Sequence, residues 1–196
     1  MTVSNDAEEF VILVDETDHP TGIGPKLETH RNGLLHRAFS IFLFDEDGRT
    51  LIQKRAAEKY HSGGLWANTC CGHPRPGESV AAAASRRLTE ELGFRADLSF
   101  GFHSRYRADL DHGMIENEYV HVFFGVSEAV PSPEPTEVAN IDYWHLDELR
   151  DGQSCNGSAQ TAWLRHYLDH HFSELLEIRD KCRTATISEL STSTYV

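Results

Sequence analysis

The fold is decided by the stretch Gly72-His-Pro-Arg-Pro-Gly-Glu78-Ser-Val-Ala-Ala-Ala-Ala-Ser-Arg86-Arg87-Leu-Thr-Glu90-Glu91-Leu-Gly93-Phe94. Its second half predicts a helix over Ser79 to Leu92. Ser79 suits the N-cap, four alanines follow, Ala84, Leu88 and Leu92 recur at i+4, and Gly93 suits the position just past the end. The first half is a Gly/Pro loop feeding that helix. Glu90 and Glu91 therefore bring carboxylates close to a Gly-rich loop, a setting for a hard cation. Arg86 with Glu90, and Arg87 with Glu91, are also i,i+4 pairs. On an ordinary solvated helix each pair contributes only about 0.3–0.5 kcal/mol.

Outward from this helix the pattern is mostly strands. Glu9 to Asp15 reads as a short β-branched strand and Thr21 to Gly33, polar and Gly/Pro-containing, as a loop. Arg37 to Asp45 and Thr50 to Lys54 predict a hairpin turning at Asp45-Glu-Asp-Gly48. Strands are expected at Ser99 to Arg105, Glu118 to Val126 and Ile141 to Leu146, with a Pro-rich loop at Val130 to Glu137. Ala159 to Ile178 carries the apolar spacing of one long amphipathic helix, and Thr184 to Val196 reads as a frayed Ser/Thr-rich tail. The expectation is an α/β (α+β) sandwich, a mixed sheet flanked by helices, forming one domain over residues 1–183.

Composition narrows the function. The 196 residues fit one domain. The longest apolar runs, Phe10 to Val14 and Val80 to Ala84, fall far short of the roughly 20 residues a membrane helix needs. With 18 Lys and Arg against 31 Asp and Glu, the net charge of −13 argues against nucleic acid as a partner. An anionic small molecule would need locally gathered cations or a bridging divalent metal. The four cysteines include one adjacent pair and no C-x-x-C, so neither a disulfide framework nor a thiolate zinc cage is expected. Reduced thiols, and an N-terminus with no basic segment before its short apolar run, predict a cytoplasmic protein without a secretory signal. No exposed heptad or long apolar patch is readable, and a monomer is expected.

Two carboxylates at Glu116 and Glu118 are two apart, so on a strand they share a face. Side by side they repel unless a cation or a proton lies between them. Histidines at 30, 36 and 73 can supply nitrogen ligands from separate segments, and a His₃Glu₂ set suits Mn²⁺, Zn²⁺ or Mg²⁺. In a strand-like segment, Cys70 and Cys71 face opposite ways, one to the core and one to a pocket.

The stretch from Gly72 to Phe94 reproduces most of G-x5-E-x7-R-E-U-x-E-E-x-G-U and resembles the Nudix fold, with one departure. Hydrolases of that family have Glu where this chain has Arg87. Trp66-Ala-Asn-Thr-Cys-Cys-Gly-His-Pro74, Tyr106-Arg-Ala and Ile115-Glu-Asn-Glu118 resemble the signatures of the type I isopentenyl diphosphate isomerases. The order of motifs agrees from about Val11 to Tyr167. That resemblance implies interconversion of isopentenyl and dimethylallyl diphosphate in isoprenoid biosynthesis, by protonation and deprotonation through a tertiary carbocation, without flavin. It implies Glu118, assisted by Tyr106, as acid, Cys71 as base and Trp163 as a π face beside the cationic carbon, the family's usual preceding Pro being Ala162 here. It further implies Lys26, Arg55, Lys59 and Arg87 as diphosphate contacts, His30, His36, His73, Glu116 and Glu118 as metal ligands, and Glu91 holding a Mg²⁺ that bridges to the diphosphate. Nearby metal and cations are expected to lower the Cys71 thiol below its usual pKa of about 8.5. The competing readings are a Nudix diphosphate hydrolase and a non-catalytic metal- or diphosphate-binding module.

Overall fold

The spine of the computed structural model, which describes residues 8–152 and 159–184, is a nine-residue strand, His36–Phe44 (β3). Period-two alternation sends Phe39, Ile41 and Leu43 into one apolar cluster and Ala38, Phe42 and Phe44 into another. Both faces of the strand are thus covered. The first cluster is closed by Ala83, Ala84, Leu88 and Leu92 of the helix Val80–Leu92 (α2). The second is closed by Leu164, Tyr167 and Leu168 of Ala162–His170 (α4) and by Leu175 and Ile178 of Phe172–Thr184 (α5). The result is a helix–sheet–helix sandwich.

The described strands form a nine-stranded mixed sheet. Strand β3 runs parallel to Ile115–Val126 (β8), with His36 opposite Glu118 and Phe44 opposite Val126. On its far side β8 pairs antiparallel with Ser99–Asp109 (β7). Cys70–Gly72 (β6) also pairs with β3. Thr50–Arg55 (β4) carries Trp66–Asn68 (β5) and Val138–Trp144 (β9), and Phe10–Val14 (β1) carries the strand Pro20–Pro25 (β2). The short helices are Lys26–Asn32 (α1) and Leu146–Arg150 (α3).

The motif helix forms as its sequence dictates. The Ser79 hydroxyl accepts from the Ala82 N–H at 3.2 Å, and Gly93 closes the helix with φ 76°. Gly72, which opens the motif, has a packing reason to lack a side chain, since a Cβ there would stand 3.1 Å from the Phe39 ring.

Three expectations need correction. Thr21 to Gly33 is not a loop but holds most of β2 and all of α1. Its Gly and Pro residues are tolerated because β2 pairs only with β1. The last strand is Val138–Trp144 rather than Ile141 to Leu146; Leu146 begins α3. The long terminal helix is two helices. His171, with φ −126°, leaves the α region between them, and its Nε2 meets the Ser104 hydroxyl at 2.9 Å. The tail beyond Thr184, and Cys155, lie outside the described residues. No described helix is long and apolar enough to cross a membrane.

Candidate active site

A cavity of about 610 Å³ gathers Lys26, Arg55, Lys59, Cys71, His73, Arg87, Glu91, Tyr106, Glu116, Glu118 and Trp163 on its wall. His30 and His36, also singled out in the sequence, do not line it; both are 0% exposed.

Strand register assembles the deepest part. The β3–β8 pairing sets His36 beside Glu118, and the β7–β8 pairing sets Tyr106 on the other side of the same residue. His30 comes from α1, and His73 follows β6 directly. Ligand atoms of His30, His36, His73, Glu116 and Glu118 lie within 4.8 Å of one another. The Nδ1 of His30 lies 2.7 Å from the Lys26 carbonyl and that of His36 lies 2.8 Å from the Leu34 carbonyl. A carbonyl only accepts, so both rings carry their proton on Nδ1 and turn the Nε2 lone pair inward. The His36 and His73 Nε2 atoms face each other at 3.2 Å, and the buried Glu116 Oε2 has no hydrogen-bond partner. Converging lone pairs around an orphaned carboxylate oxygen are the donor set of a divalent cation. This group can bind a metal.

The two carboxyls differ. Burial and the neighbouring Glu116 carboxylate push Glu118 well up, which favours its protonated form; Tyr106 donates to its Oε2 at 2.7 Å. Burial works against the charge on Glu116; a positive charge facing it, on a protonated His30 or on a bound cation, is what holds that carboxyl down at about 2. His36 stays neutral, pushed down to about 4 chiefly by burial.

Cys71 and Cys70 point to opposite sides, as expected. Cys70 is fully buried against α2, whereas Cys71 faces the cavity and donates to Asn68 Oδ1 at 3.1 Å. The lowered thiol pKa expected from the sequence is not found. Burial pushes Cys71 up to about 12, outweighing the bond with Ser40.

The four wall cations singled out in the sequence each have an internal partner. Lys26 donates to Glu9 at 2.7 Å, and Lys59 donates to Glu137 at 2.9 Å. Arg87 donates to Glu90 and Glu91 and lies 3.1 Å from Glu137. Arg55 lies 5.2 Å from the Trp163 ring centre. Glu91, nearly buried, accepts from Gln53 at 2.9 Å and from Arg87 at 2.6 Å, so both its oxygens are occupied. Glu78 is tied to Arg86 by two bonds of 2.8 Å.

Sequence reading missed several members. Glu137, in the Pro-rich loop, neutralises two of the cations. Asn68, Ser40 and Tyr167 make a chain of contacts behind the thiol: Tyr167 donates to Ser40 at 2.9 Å and Ser40 lies 3.4 Å from the sulfur. Asn68 lay inside the Trp66–Pro74 motif, so its position was visible though its task was not. His61 is buried beside Glu116, at 3.3 Å.

The family model of the Nudix domain matches residues 34–164. The fold agrees: a solved chain from Deinococcus radiodurans superposes with a TM-score of 0.63 at 17% identity, covering 81% of this chain and 96% of that one. The class is therefore that of the Nudix proteins. Within it, the isopentenyl-diphosphate Delta-isomerase of Pectobacterium atrosepticum is 48% identical over 79% of this chain and 87% of its own length. Isopentenyl-diphosphate Delta-isomerase 1 of Aromatoleum aromaticum is 47% identical over 90% of this chain and 98% of its own. The chain belongs to the isopentenyl-diphosphate Delta-isomerase family of Nudix proteins.

Proposed function

We propose that the chain interconverts isopentenyl and dimethylallyl diphosphate. The observation that carries this reading is one cavity holding a buried carboxyl, a thiol, an indole and a set of cations. An unactivated alkene must be protonated and a proton must leave elsewhere. Glu118 gives its proton to the terminal methylene carbon; the alkene electron pair forms the new C–H bond and leaves a tertiary cation. The C–H bond at the carbon next to the diphosphate-bearing one then supplies the new double bond, and its proton passes to Cys71 in the thiolate form, giving the thiol. Cys71 must therefore give up its S–H proton to solvent before the step, a loss that the Ser40 hydroxyl and the cations of the loaded site would favour. The reverse direction exchanges the roles. Tyr106 orients and shares the proton of Glu118. Trp163 presents its π face to the cation, once the diphosphate draws Arg55 toward itself. Water must be kept from capturing the cation, and the buried Trp163 and Tyr106 rings shield that part of the cavity.

Lys26, Lys59 and Arg87 hold the diphosphate in exchange for their internal carboxylate partners, and Arg55 in exchange for its contacts with Trp163 and the His61 carbonyl. Held by His30, His36, His73, Glu116 and Glu118, a Mn²⁺, Zn²⁺ or Mg²⁺ ion would supply positive charge that offsets the paired carboxylates; Glu91 would hold Mg²⁺ for the diphosphate once Arg87 turns from it to the substrate. A hydrolase reading is disfavoured, because Arg87, paired with Glu90 and Glu91, stands where the hydrolases carry a carboxylate for the metal cluster.

Incubation with isopentenyl diphosphate and Mg²⁺ in D₂O tests this. Deuterium should enter a product methyl group without release of inorganic phosphate. Phosphate appearing faster than the isomer would return the chain to the hydrolases.

A further inference from the structure

His61 lies in a tight segment between β4 and β5 and is 3% exposed. A buried imidazole needs partners for both nitrogens. Its Nδ1 meets the Ser62 hydroxyl at 3.2 Å, and its Nε2 faces Glu116 Oε1 across 3.3 Å. A hydroxyl can donate to Nδ1, which leaves the proton on Nε2, toward the carboxylate. This is the opposite tautomer to His30 and His36. His61 also lies outside the set of ligand atoms that converge within 4.8 Å. Glu116 is thus divided: Oε1 faces His61, while Oε2 is buried without a partner on the side of the converging histidines.

The segment that carries His61 is locked. Arg55 donates to the His61 carbonyl at 3.2 Å, and the ring meets Trp163 edge-on at 5.8 Å. Ser62 adopts φ 53°, uncommon for a residue with a Cβ, and its N–H donates to Asp111 at 2.8 Å. At Gly63 a Cβ would stand 2.3 Å from the Ala57 carbonyl oxygen, so the turn can close only on glycine.

We infer that His61 is a positioning residue for the metal centre: it holds one oxygen of Glu116 so that the other is presented to a divalent cation. The inference rests on the metal-binding reading of the His/Glu group. It also links that centre to the diphosphate end of the cavity, since the same residue bonds Arg55 through its backbone.

Mn²⁺ titration of the full chain, followed by electron paramagnetic resonance, tests it. His61→Phe keeps the ring volume and loses the donor; its Mn²⁺ dissociation constant should rise about 10–100-fold, the usual effect of removing such a support. The number of imidazole nitrogens coupled to the bound Mn²⁺ should stay that of the parent. His61→Gln, which keeps an N–H of similar reach, should restore affinity. His61→Asn, too short to reach Glu116, should weaken binding as His61→Phe does and serves if the latter fails to fold. Parent-like affinity in both His61→Phe and His61→Asn overturns the inference, and so does loss of one coupled nitrogen, which would make His61 a ligand. If the parent itself takes up no Mn²⁺, the underlying metal reading fails, a result distinct from either.

Discussion

Adjacent cysteines make the sharpest contrast between single residues. Cys70 and Cys71 differ by one position on a strand, and that reversal of face separates a packing thiol from a cavity thiol. Cys71→Ala should reduce turnover by at least about 10²-fold, the scale of a lost acid–base group, with metal content unchanged by elemental analysis. Cys70→Ala should keep most activity and lower stability by about 1 kcal/mol, read from denaturant midpoints. Away from the cavity, His166 stacks on Tyr106 at 5.2 Å and meets Ser104 at 3.0 Å. Burial, helped by His171 and His170, pushes it down to about 4. An unfolded histidine takes up its proton near 6.5, so lowering the pH from there toward 4 favours the unfolded chain. Denaturation at pH 7 and pH 5 should show that loss, and His166→Gln should shrink the difference.

At the scale of elements, the motif helix stands on local chemistry. Ser79→Ala should cost about 1 kcal/mol, seen as a lower melting temperature with unchanged KM, because the cap satisfies one N–H and touches no cavity group. The same locality made α2 legible: cap, period and terminating glycine all lie within its own fifteen residues. Strands β3, β4, β7 and β8 were readable because they are long enough to show alternation or unbroken apolar character. The three-residue strands β5 and β6 are too short for either. Helix α1 was hidden by its seven-residue length and by the prolines and glycines before it. The break at His171 carries neither Pro nor Gly. It depends on Ser104, far away in sequence, so periodicity ran through it. The site divides similarly. His73, Glu116, Glu118, Cys71 and Tyr106 sit in motifs with internal spacing. His61 and Glu137 acquire partners only when loops fold over the sheet, and nothing near them in the chain announces that.

For the whole molecule, the net charge of −13 and a cation-lined cavity belong together: the carboxylates Glu9 and Glu137 hold the lysines of the wall in place. A metal that binds only the folded chain stabilises it by mass action, about 2.7 kcal/mol at a hundred times the dissociation constant. Added Mn²⁺ should therefore raise the melting temperature of the chelator-treated protein, and His73→Ala should abolish most of that rise. The parallel β3–β8 pairing has a consequence for durability. Glu116 and Glu118 sit on a strand flanked on both sides by β3 and β7, not on a lid or an edge. Amide protons along residues 36–44 and 116–124 should accordingly be among the slowest to exchange with solvent deuterium, released only by opening of the whole sheet. Thermal inactivation would then have no early stage of its own: the last working molecule and the last folded molecule should disappear together.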